Sequence, residues 1–180
     1  MPQHDQQLEN LMASHIELNP ATQITVGTIG PPGQRTFYLQ GSRGSQTISL
    51  TIEKEQARML AESFEALVDE LSKKYPEQVD ETPIWTDMRL REPIESLFRV
   101  GNIGIGYNED SNQVVLVAYE LVGEEEEPNV VSYWISRTQV QSLIKHAYDV
   151  IKAGRPICGN CGKPIDPTGH FCPHRNGHAY

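Results

Sequence analysis

A seven-residue pattern occurs twice in this chain, and no other feature constrains its fold as much. Ile24-Thr25-Val26-Gly27-Thr28-Ile29-Gly30 returns 74 residues on as Phe98-Arg99-Val100-Gly101-Asn102-Ile103-Gly104. Each copy is followed by a turn-rich stretch and a second apolar strand, Thr36 to Gln40 in the first and Val114 to Leu121 in the second. A third strand then alternates Ile48, Leu50 and Ile52, and 83 residues later Val131, Tyr133 and Ile135. Period-two alternation marks a strand with one buried face. Each copy closes on a helix. Ala57, Leu60, Ala61, Phe64, Leu67, Val68 and Leu71 make one apolar stripe at three-and-four spacing, and Val140, Leu143, Ile144, Ala147 and Ile151 make another. Ser136 with Gln139 predicts a capping box at the start of the second helix. Lys152 in the last turn, Gly154 as a left-handed cap and Pro156 beyond it predict the end.

One β-β-β-α unit buries its sheet face and its helix stripe poorly alone. Two units therefore predict a single α+β domain over residues 21–154, with repeats at about 24–72 and 98–153. The expected form is an antiparallel sheet with both helices on a shared face, the repeats related as a pseudo-two-fold pair. Residues 73–97 are the connection, where Pro76, Pro83 and Pro93 preclude a long helix. Ile84-Trp85 and Leu97-Phe98 are expected to fasten it to the body. Residues 1–20 are polar without a clear period and predict a flexible N-terminal arm.

The last 23 residues form a different kind of segment. All three cysteines of the chain and three of its six histidines fall there, in the spacing Cys158-x2-Cys161-x10-Cys172 with His170, His174 and His178. Thiolate and imidazole are the donors zinc prefers, and a Cys-x2-Cys turn aims both sulfurs at one ion. A disulfide would leave one thiol over. A redox Cys-x2-Cys belongs near the start of a helix in a βαβ pattern, whereas this one follows a helix in a Gly/Pro-rich tail. Residues 155–180 therefore predict a zinc-ribbon-like tail whose Zn2+ is structural, because Asp166 is the only local acid and the segment has no other core. For the fourth ligand His170 ranks first, His178 second, and His174 last because it would have to bend back across Pro173.

Charge narrows the partners. The chain carries −9, and the tail from Lys152 onward holds Lys152, Arg155, Lys163 and Arg175 against Asp166, which leaves the body near −12. Such a body repels phosphate backbones, so nucleic-acid binding is not expected outside the tail. No apolar run is long enough to span a membrane and the N-terminus lacks the pattern of an export signal, so a cytoplasmic location is expected.

Chemistry is harder to place. Gly27-x2-Gly30-x2-Gly33 invites a phosphate-loop reading, but a strand follows it where such a loop needs a helix. Pro31 to Gln40 joins a turn to one basic and two aromatic residues, Arg35, Phe37 and Tyr38. It is either an ordinary strand with an aromatic core face or a recognition edge. No Ser/His/Asp or Cys/His arrangement stands out, and among 24 carboxylates none is marked as a catalytic pair.

Several of these stretches together resemble a known family. Val26-Gly27-Thr28-Ile29-Gly30, Pro32-Gly33-Gln34-Arg35-Thr36-Phe37-Tyr38-Leu39-Gln40, Glu53-Lys54-Glu55-Gln56, Phe98-Arg99-Val100-Gly101 and Cys158-x2-Cys161-Gly162-x-Pro164-Ile165-Asp166-Pro167-x-Gly169-His170-x-Cys172-Pro173 look like the uncharacterised bacterial family catalogued as domain of unknown function 3090, found mainly in actinobacteria and chloroflexi. The resemblance runs from about Ile24 to Asn176 and brings no activity or catalytic residue with it. Its Gly-His-x-Cys-Pro run favours His170 as ligand, while His174 stands where the family pattern has arginine. Members encoded beside histidine-phosphatase-like and lipid-kinase-like proteins hint at a phosphoryl-related pathway by association. The expected function is a non-catalytic, cytosolic interaction or adaptor protein with protein partners and a structural zinc site. An enzyme of phosphoryl or nucleotide metabolism using Pro31–Gln40 is the alternative.

Overall fold

β2 (Gln23–Ile29), β3 (Thr36–Arg43) and β4 (Gln46–Ile52) form an antiparallel meander in the computed structural model, which describes residues 13–76, 87–154, 158–163, 165 and 169–173. Register explains its two faces. Val26, Leu39 and Leu50 lie side by side across the three strands and are fully buried. One residue along, Thr25, Gln40 and Ser49 form a parallel row on the opposite face. β5 (Ser96–Asn108), β6 (Gln113–Glu120) and β7 (Val130–Ile135) repeat the meander, with Ile105, Leu116 and Tyr133 in one cross-strand row.

Helix α1 (Lys54–Lys74) carries the chain from β4 back to the same end of the sheet, so β5 enters parallel to β4. The sheet is therefore mixed rather than antiparallel; with β1 (His15–Leu18) at one edge, its order is β1-β7-β6-β5-β4-β3-β2. The two meanders follow one another in the same strand order and direction. The flexible arm is also corrected: β1 (His15–Leu18) pairs in parallel with β7, Leu18 is fully buried, and His15 Nε2 lies 2.7 Å from Ser132 Oγ. Residues 1–12 lie outside the described residues.

β5 serves both meanders because it bends. A register shift between Val100 and Asn102 places Gly101 as an extra residue opposite β6. Gln56 in the first turn of α1 fixes this bulge, its Nε2 donating to the carbonyls of Val100 and Gly101. Its Oε1 accepts from Glu53 N at 2.8 Å and so also caps α1. The bend curls the sheet until its ends approach. Ala21 N donates to Trp134 O, Thr22 N donates to Ser42 O, and Tyr133 on β7 packs over Gly41 on β3.

Both helices pack on each other and on one shared core, to which Phe64 and Leu60 of α1 and Val140 and Leu143 of α2 (Arg137–Lys152) contribute. Each fully buried side chain of that size stabilises the fold by about 1.5–3 kcal/mol. The capping box of α2 forms as its sequence predicts. Ser136 Oγ accepts from Gln139 N, and Gln139 Oε1 accepts from Ser136 N. Ser136→Ala is expected to lower stability by about 1 kcal/mol in urea denaturation, without changing the m-value.

The polar row of β2–β4 is buried too, under the end of the connection between the halves. Thr25 Oγ1 donates to Met88 O at 2.6 Å, and Gln40 exchanges two bonds with the backbone of Arg91. Leu90 fills the space a Cβ on Gly27 would need. This segment fastens the connection. Phe98 enters the core as expected, Leu97 is half-exposed, and Ile84-Trp85 lie outside the described residues.

Candidate metal centre

The end of α2 differs from its prediction in a way that bears on the tail. Gly154 does not adopt a left-handed conformation, and Pro156 lies outside the described residues. Arg35 supplies the cap instead, its Nη1 donating to Val150 O at 2.7 Å. A cation at this end also suits the helix dipole. A Cβ on Gly154 would sit 2.9 Å from Arg35 Nη2, so the guanidinium packs directly against this glycine.

Cys158 to Lys163 fold as a tight turn. Cys158 N donates to Lys163 O and Gly162 N donates to Cys158 O, both at 2.9 Å. Gly162 holds φ at +72°, a left-handed conformation that turns the chain back past Cys161 at little cost only without a side chain. Backbone N–H groups of Cys161 and then Asn160 point at the Cys158 sulfur. They hold its thiol down at about 7 against the opposing effect of burial. The second arm, Gly169 to Pro173, brings up His170 and Cys172. Cys158 Sγ lies 3.8 Å from Cys172 Sγ, and Cys161 Sγ lies 3.4 Å from His170 Nε2. All four donor atoms fall within 4.8 Å of one another, with Cys158 and Cys172 buried and Cys161 and His170 partly so.

The three cysteines and His170, read from spacing, are thus assembled into one group that could hold a metal ion. His178 and His174 lie outside the described residues, as does Asp166. The three thiols are not joined as disulfides. Among the described residues no helix is long and apolar enough to cross a membrane.

Pro31–Gln40 contains the strand with an aromatic core face. Phe37 and Leu39 face the core, while Arg35 lies 4.9 Å above the Phe37 ring and lines a cavity of about 340 Å³. Lys54 and Arg99 line the same cavity. Sequence reasoning missed both, since nothing local links positions 35, 54 and 99; Arg99 lies within the repeated pattern, but its copy-one counterpart is Thr25.

A family model described as Protein of unknown function (DUF3090) matches residues 16–172, from β1 to the last cysteine of the cluster. No curated protein and no solved structure matches the chain.

Proposed function

We propose that this chain, which belongs to that family of proteins of unknown function, is a non-catalytic interaction protein of the cytosol whose tail is held by a structural zinc ion. The donor geometry carries the zinc half. A tetrahedral ion with Zn–S bonds of about 2.3 Å separates its sulfurs by about 3.8 Å. The Cys158–Cys172 distance is 3.8 Å. Three sulfurs and an imidazole nitrogen complete four coordination positions, whereas a catalytic zinc keeps one for water or substrate. Zinc here supplies folding energy to a ribbon-like tail. The two successive meanders, each with its helix, support the duplicated β-β-β-α unit as the body's plan.

The interaction half is supported by a groove of about 600 Å³ between α1 and β5. Met59, Leu67, Ile103 and Ile105 line it, and Met59 is 62% exposed. Glu70 stands in its wall and the body carries about −12, so the partner that fits is a protein segment with an apolar face and flanking positive charge. Nucleic acid is disfavoured by the same charge.

The test begins with a partner captured from the host, then purified and rebound to the intact protein. Met59→Asp and Ile103→Asp should each weaken that binding at least tenfold, while Ser45→Ala in the exposed β3–β4 turn, outside the groove lining, should leave it unchanged. A partner indifferent to both groove substitutions, or one released by nuclease, would sink the interaction reading.

A further inference from the structure

The cavity beside Arg35 is out of character with the rest of the molecule. In a body of about −12, its wall gathers three cations, Arg35, Lys54 and Arg99, against one carboxylate, Glu53. The three come from separate places: the end of the β2–β3 turn, the first residue of α1 and the start of β5. Chance placement of surface charge in so acidic a chain would not favour this convergence.

Each cation is held differently. Arg35 is fixed before any ligand arrives, since Nη1 is bonded to Val150 O and the guanidinium lies over Phe37 and against Gly154. A guanidinium ordered in this way loses little freedom on binding an anion. Arg99 donates to Glu53 Oε1 at 2.5 Å, with both side chains more than half exposed. An exposed pair of that kind is weak and can re-partner. Lys54 supplies an exposed ammonium. Thr36 adds a hydroxyl to the wall, whereas Thr51 donates its own to Ser96 Oγ, and Phe37 and Ile52 make an apolar floor.

From this arrangement we infer that the cavity binds the phosphate group of a small ligand. Guanidinium forks match phosphate oxygens in pairs, an ammonium adds a point charge, and a hydroxyl can donate to a remaining oxygen. Ligand pockets span roughly 300–1,000 Å³, which puts this one at the small-metabolite end. The apolar floor leaves room for an organic portion beside the phosphate. The site binds and does not transform. Among the described lining residues no nucleophile and base stand together. The inference is independent of the interaction reading, because the groove and the cavity have no lining residue in common.

Amide chemical shifts of the intact, metal-loaded protein are the measurement, at fixed ionic strength with ribose 5-phosphate, inorganic phosphate and ribose as probes. Ribose 5-phosphate should give saturable shifts centred on Gly33, Thr36, Lys54 and Arg99, and ribose should give none. Tighter binding of the ester than of inorganic phosphate identifies a metabolite site; equal binding identifies a site for free phosphate. The double variant Lys54→Ala/Arg99→Ala should weaken binding at least tenfold with an unchanged melting temperature, since both side chains are exposed. Arg35→Ala is avoided because it also uncaps α2. Shifts that fail to saturate, lie elsewhere, or survive the double substitution would overturn the assignment.

Discussion

Cys158→Ser will empty the C-terminal centre and leave the chain from Cys158 onward without fixed structure, while the sheet and both helices still unfold cooperatively. The tail has few ways to stay folded otherwise. Phe171, its one large aromatic side chain among the described residues, is 66% exposed and buries little surface. The body loses nothing comparable, since its core joins strands and helices without any residue of the tail. Structural zinc contributes about 10–16 kcal/mol to small metal-held folds. Loss of one thiolate should therefore show as loss of stoichiometric zinc by mass spectrometry and collapse of amide dispersion in the tail alone. His170→Ala should lower zinc content in the same way and His178→Ala should not. Retained zinc after Cys158→Ser, or a body that unfolds with the tail, would contradict the structural assignment. Acid should act similarly. The Cys158 thiol is lowered from 9.0 to about 7 by backbone N–H groups, so its contribution is full above about 9 and lost as pH falls through 7. A metal ion bound there would compete with those protons and move its release to lower pH.

The two halves of the molecule were legible in the sequence to different depths, for physical reasons. The metal donors are local: a turn of known spacing brings two sulfurs together, and any reader of Cys-x2-Cys finds them. Strand and helix positions were visible because Val26, Leu39, Leu50, Leu116 and Tyr133 repeat with the period of the element that buries them. Strand direction was not, since alternation is the same in parallel and antiparallel pairing. β1 was missed because Ile16 and Leu18 are a short signal among polar residues and their partners on β7 lie some 115 positions away. The burial of the polar row of β2–β4 has no local signal in the sequence. The row is buried because Gln40 and Thr25 satisfy the backbone of Met88 to Arg91, a pairing no local pattern announces.

The second large effect is expected where the curled sheet closes on itself. Tyr133 is fully buried, and its ring lies over Gly41 so closely that a Cβ there would fall 2.4 Å from Cδ1 and 2.5 Å from Cε1. The ring has little room to retreat, because its hydroxyl donates to Ile48 O at 3.3 Å. Burial pushes the phenol well above its ordinary value, so it stays neutral at any working pH. Glycine is needed here for space alone; its backbone is not left-handed. Gly41→Ala should cost about 1–3 kcal/mol as overpacking, and Gly41→Val more. Tyr133→Ala should cost roughly 3–5 kcal/mol by opening a cavity between the two ends of the sheet. The two sites touch, so they should not add. In urea denaturation, Gly41→Ala in a Tyr133→Leu background should cost at least about 1 kcal/mol less than in the native chain, because the smaller side chain vacates the place of the new methyl. Additivity within about 0.5 kcal/mol would mean that ring and glycine are not in contact, and that the sheet does not close in this way.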